Sequence, residues 1–429
     1  MRRKLGRSAA IAAVLGLLAA GPAGVAAADA GGGTEWTPMG GSAVDNCKFP
    51  TANVPAEPWA LQRVELDQLW AHATGAGVEV AVIDTGVDML NPQLSGNVPP
   101  PGGNGQPVRK VDLGLSLLMD KSVNPPQPAK GDSSTDTVGH GTKVAGIIAA
   151  SRLAGVGFVG LAPDAQILSI RQNDEAGDGD VLTLASAINQ AVAHKVKVIN
   201  ISQDVRTTNG ATDFPGSDQL KAALASAEQN NVVVVAATGN DGLEGPTFPA
   251  SYDTVLSVGA SDRNNERVSF SQYGDYVKVA APGVDMLSTV PGGGQCVDNG
   301  TSFAAPYVAG VAALLWQEHP GWTAKQIRAR IEQTAQRTER GPNKYIGWGV
   351  VDPVKAVTDT DPAADAAVAD PAVRLDDVPI VPQPLGLGET QADRDRRTAT
   401  YVLGGGALGV AALFGGSVVL RDLRRRRRA

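Results

Sequence analysis

The chain has 429 residues, 43% hydrophobic and 19% charged, with a net charge of −7. That composition suits a globular protein of two or three domains and excludes a wholly disordered chain or a polytopic membrane protein. The acidic balance gives no bulk attraction for nucleic acid, and two cysteines are too few for a disulfide-dense mini-domain or a structural zinc site.

Residues 1–28 read as a secretory signal. Arg2, Arg3, Lys4 and Arg7 precede a short apolar stretch over 9–20, and Ala26-Ala27-Ala28 offers a small-residue cleavage site. The chain beyond Ala28 is expected outside the cytoplasm, where disulfides persist, so Cys47 and Cys296 are expected to pair with each other. Residues 29–59 form an irregular N-terminal arm. A body over 60–358 is large enough to bury most of its unfolded surface. In it, short apolar runs at 78–83, 166–170, 196–201, 232–237 and 255–258 predict buried strands. Helical spacing between them, at 142–150, 181–194 and 217–230, implies an α/β fold with a mostly parallel sheet covered on both faces. Residues 302–316 read as a buried helix and 323–337 as a last helix opening on a Thr cap, while 91–138 is Pro- and Gly-rich and reads as a long loop.

Beyond the body, 359–399 is rich in Ala, Pro and Asp and reads as a solvated, extended tether. Residues 401–420 carry no charge and are long enough to cross a bilayer as a helix. The basic residues of 421–429 place this tail in the cytoplasm and the body outside.

Three short motifs carry the chemistry. Asp84-Thr85-Gly86 closes the first strand, His140-Gly141-Thr142 opens a helix, and Gly300-Thr301-Ser302 opens the buried helix. Asp, His and Ser are the groups that nucleophilic acyl transfer requires: an imidazole takes the serine proton, and a carboxylate orients the imidazole. A serine at a helix N-terminus also has a free backbone N–H to offer a developing oxyanion, and Asn240, just past a strand, can supply a second donor. Asp-Thr-Gly also marks aspartic proteases, but those need two copies and one is present.

These segments, with Ala236–Asn240 and Gly300–Gly310, resemble the subtilisin-type serine proteases. The resemblance covers 60–358 and implies Asp84 as orienter, His140 as base, Ser302 as nucleophile, and Asn240 with Ser302 as the oxyanion hole. It implies that Ser202, Gln203, Asp204, Thr238 and Gly239 line the substrate cleft. It implies no cofactor, and it allows no metal ligands to be transferred. Where the family usually has Ser-Leu-Gly, this chain has Ser202-Gln203-Asp204, so Asp204, with Asp241 nearby, is expected to narrow or acidify the S1 pocket. The signal, arm, tether, single span and basic tail together are similar to the mycosins, membrane-anchored subtilases of type VII secretion. That likeness implies a polypeptide substrate and a type VII secretion membrane complex as partner, with no nucleic acid. It leaves two functions open: an extracytoplasmic serine endopeptidase, or a structural stabiliser of the membrane complex in which proteolysis is secondary.

Overall fold

The computed structural model describes residues 47–100, 105–173, 179–207, 211–372 and 388–428. The signal over 1–28 and most of the arm lie outside the described residues. The chain divides into two compact units, Met1–Pro371 and Ala372–Ala429.

The first unit is built on seven strands: β1 (Glu79–Asp84), β2 (Val111–Ser116), β3 (Gln166–Arg171), β4 (Val198–Ile201), β5 (Val233–Ala237), β6 (Val255–Ser261) and β7 (Val279–Pro282). They pair in parallel throughout, in the order β7-β6-β5-β4-β1-β3-β2. Successive residues of β1 enter opposite cores, because side chains alternate across a strand. Val80 and Val82 pack in the core that holds two helices, α2 (His140–Ala149) and α5 (Thr301–Glu318). Ala81 and Ile83 pack in the core that holds α3 (Val181–Ala193) and α4 (Ser217–Gln229). With both faces covered, the strands favour apolar residues at successive positions, hence near-continuous runs rather than alternation.

A short helix, α1 (Leu66–His72), precedes β1. The expected last helix is α6 (Ala324–Thr334), entered through a reciprocal cap between Thr323 and Gln326 and succeeded by α7 (Pro353–Thr358). Two features depart from expectation. The long segment over 91–138 contains β2, an edge strand whose Leu113 and Leu115 are exposed. Between β7 and α5 stands an antiparallel hairpin, β8 (Met286–Thr289) and β9 (Gln295–Asp298), turned by Gly292, Gly293 and Gly294, all at positive φ. Glycine accepts that backbone region without a steric penalty.

The stretch read as a free tether begins bound to the body. Arg330 on α6 donates to the carbonyls of Asp359 and Asp361, and Arg337 grips Asp370 with two bonds, at 2.7 and 3.1 Å. In the second unit, α8 (Gln391–Arg426) is a 36-residue helix containing the apolar run, long and apolar enough to cross a membrane.

Candidate active site

The carboxyl ends of β1, β4 and β5 and the N-termini of α2 and α5 supply the site, where ligands gather in open parallel sheets. Asp84 is the last residue of β1 and fully buried. Its Oδ1 accepts from Thr85 N at 2.8 Å and lies 2.8 Å from His140 Nδ1, at the first turn of α2. One buried carboxylate fixes this approach. Asp136 accepts from the Thr85 hydroxyl (2.8 Å), Gly139 N (2.7 Å), and Thr142 N and Oγ1 (2.9 and 2.6 Å), while Thr85 Oγ1 accepts from Gly141 N at 2.9 Å. Burial pushes Asp136 above the usual carboxylate range although these bonds pull it down. Gly141 must be glycine, since a Cβ there would stand 2.1 Å from the carbonyl oxygen of Gly86.

Burial by itself lowers the proton affinity of His140. The charge of Asp84 and its hydrogen bond reverse that, with Lys143 opposing and Asp298 assisting, so the imidazole ends above its ordinary value. The Phe303 ring stands 5.2 Å from the imidazole centroid.

Ser302 lies in the first turn of α5, 7% exposed. Its hydroxyl donates to the carbonyl of Ser202 at 3.0 Å, and the Ser202 hydroxyl donates back to the carbonyl of Ser302 at 2.9 Å. The second bond has a cause in the sequence. Pro306 lies inside α5 and has no N–H, so the carbonyl four residues earlier, that of Ser302, loses its helical donor. Ser202 replaces it. The hydroxyl proton of Ser302 is thus engaged by the Ser202 carbonyl.

Asn240, half-buried after β5, accepts through Oδ1 from Thr301 N (2.8 Å) and the Thr301 hydroxyl (3.0 Å). With its oxygen held this way, the amide nitrogen is the free end. Gly239, at φ +102°, leaves room for Gln272 and Asp204: a Cβ there would stand 1.7 Å from the end of the Gln272 side-chain amide and 2.8 Å from Asp204 Oδ2. Asp204 is half-buried beside this loop, and burial, with the charge of Asp241, pushes it up to about 7 against the pull of Arg206. Arg206 itself lies 3.6 Å from Asp241. Gln203 is buried and donates to the carbonyl of Ile83 and to Gln172. The Thr238 carbonyl accepts from the Thr247 hydroxyl at 2.9 Å.

The sequence-predicted residues therefore meet at one sheet edge. Asp84 and His140 are in direct contact, and Ser302 and Asn240 are joined through α5's first turn. Sequence reading missed Asp136, Thr247, Arg206 and Gln272. For Asp136 a signal existed: an acidic residue just ahead of a helix start is a usual acceptor for its free N–H groups.

Cys47 and Cys296 are joined in a disulfide, which ties the arm to β9. From there the arm runs along the hairpin, with Thr51 N donating to Gly293 O (3.0 Å) and Val54 N to Gln295 Oε1 (2.8 Å).

The subtilase family profile matches residues 75–349. Subtilisin E of Bacillus subtilis is 36% identical over 299 residues, covering 68% of this chain and 69% of its own length. Among solved structures, the MycP3 protease from the type VII (ESX-3) secretion system matches with a TM-score of 0.61 and 33% identity, over 72% of this chain and 90% of that one. A chain of an intact ESX-5 inner membrane complex matches with a TM-score of 0.63 and 29% identity, over 86% of this chain and 92% of that one. The matched span holds the whole seven-stranded sheet with Asp84, His140, Asn240 and Ser302, and the chain belongs to the subtilase family as a subtilisin-like serine protease.

Proposed function

We propose that the protein is a membrane-anchored, extracytoplasmic endopeptidase that cleaves polypeptides with Asp84, His140 and Ser302. The observation that carries this reading is the 2.8 Å contact of His140 Nδ1 with the buried Asp84, at the same sheet edge as Ser302. Asp84 holds the proton on Nδ1, which leaves Nε2 as the base. Ser302 turns from the Ser202 carbonyl, gives its proton to Nε2 and attacks the scissile carbonyl. Ser302 N–H and Asn240 Nδ2 receive the oxyanion, His140 protonates the departing amine, and water then hydrolyses the acyl-enzyme. The peptide lies extended between Ser202–Asp204 and Thr238–Gly239. Asp204 and Gln272 crowd that cleft, which suits small P1 residues better than large aromatic ones. The polypeptide is the only substrate in this scheme, and no cofactor is needed.

The signal over 1–28, the apolar helix and the basic end of α8 support a body outside the membrane with a cytoplasmic tail. The likeness to type VII proteases and to a chain of an inner membrane complex supports work beside such a complex, and favours a second role as a stabilising part of it. A serine-directed fluorophosphonate tests the chemistry: the wild-type chain is expected to label at Ser302 and Ser302→Ala not at all. A wild type that stays unlabelled refutes the enzymatic mechanism. Secretion that survives Ser302→Ala but fails on deletion assigns the structural role.

A further inference from the structure

One turn along α2 from His140, Lys143 Nζ lies 2.8 Å from Asp298 Oδ2, with the two side chains 10% and 11% exposed. Asp298 closes β9, four residues before Ser302, and its Oδ1 accepts from Asn299 N at 2.9 Å. Two bonds from β8 run alongside: the Ser288 hydroxyl donates to Lys143 O at 2.6 Å, and the Thr289 hydroxyl to Thr142 O at 2.8 Å. The helix turn that carries His140 is thus fastened to the hairpin that leads into Ser302. An ion pair this dry gains little stability over apolar side chains of the same size, because desolvation offsets the attraction. Its position suggests another use. Both charges act on the imidazole, in opposite senses: Lys143 disfavours its protonation and Asp298 favours it.

We propose that Lys143 and Asp298 act as one positioning unit for His140, an ion pair that locks the base to the strand leading into the nucleophile. The proposal rests on His140 being the base. The charged groups that act on the imidazole are Asp84 from β1, Lys143 from α2 itself and Asp298 from β9. From α5 the uncharged Phe303 ring faces it, and Asp136, ahead of α2, is taken up by Thr85, Gly139 and Thr142.

The test is the rate of fluorophosphonate labelling of the full chain as a function of pH, which reads the neutral fraction of His140 without a peptide substrate. Lys143→Met leaves Asp298 unopposed and is expected to move the acid-limb midpoint up; Asp298→Asn leaves Lys143 unopposed and should move it down. Each shift is expected to be about half a unit or more. The double variant K143M/D298N restores the wild-type midpoint yet labels several-fold more slowly at every pH, because the side-chain fastening is lost and only the two bonds from β8 remain. A merely structural pair slows labelling in both single variants without splitting their midpoints, and that result overturns the proposal. If a single variant does not fold, the double variant decides, since it buries no lone charge: a displaced midpoint or an unchanged rate overturns the proposal. A wild type that labels at no pH refutes the triad and this proposal together, whereas a labelling wild type with unsplit variants refutes only the pair.

Discussion

Asn240 does two things at once, and its substitution separates them. Its oxygen caps Thr301 at the start of α5, and its amide nitrogen is the oxyanion donor in the proposed mechanism. Asn240→Ala is expected to slow kcat by about 10²–10³-fold. It should also cost about 1 kcal/mol of stability through the lost cap, visible in a denaturant melt. Asp204 gives a pH signature. Its folded carboxyl holds a proton up to about pH 7, whereas the unfolded one loses it in the ordinary carboxylate range. Across that window the folded state binds more protons, so stability falls as pH rises and levels off above about 7. Glu79 and Glu332, also pushed to about 7 by burial, add to the same fall. Asp204→Asn is expected to make the fall shallower, measured as unfolding midpoints in urea at acid and neutral pH. An identical slope in the variant would remove Asp204 from the account.

At the scale of elements, the first turn of α2 is set against the end of β1 with no slack. Gly141→Ala would drive a Cβ into the Gly86 carbonyl, a backbone atom that cannot rotate away, and would push His140 off Asp84. The expected result is a loss of about 1–3 kcal/mol in a thermal melt. Labelling of Ser302 should fall by up to about 100-fold, since a small misplacement of a catalytic group costs that much. The same elements show what the sequence discloses. β1, β3, β4, β5 and β6 were legible because both faces of each are buried and each carries a near-continuous apolar run, with its polar residues mostly at the ends. β2 was not, because it is an edge strand with half-exposed, alternating residues. The β8–β9 hairpin was not, because Ser288, Thr289 and Gln295 are buried by hydrogen bonds rather than by apolar pattern. Asp84, His140 and Ser302 were legible from their immediate neighbours in the chain. Lys143 and Asp298 were not: they are 155 residues apart, and nothing local marks their meeting.

At the scale of the whole molecule, composition predicted a free tether between body and span. Residues 359–371 are instead held by Arg330, Gln333 and Arg337, because specific charge and backbone pairing along α6 outweighs a composition that favours solvation. α8 likewise outlasts its apolar run. At about 1.5 Å per residue its 36 residues exceed a hydrocarbon core of about 30 Å, so charged turns carrying Arg394, Arg396 and Arg397 continue the helix at one end and Arg421 to Arg426 at the other.

The bond between Cys47 and Cys296 separates the integrity of the backbone from the integrity of the molecule. A protease is exposed to its own product stream and to its neighbours, and its surface turns are where nicks fall. The turn around Ser122 and Val123 is such a place, and a single cut there lies between the two cysteines. The fragments stay joined: electrophoresis without reductant is expected to show one band, and with reductant two. A cut just after residue 47 sheds nothing until the disulfide is also reduced. Separating Cys47 from the body therefore takes two unrelated chemistries acting on the same molecule, and a hydrolase alone, this one included, can supply only one of them.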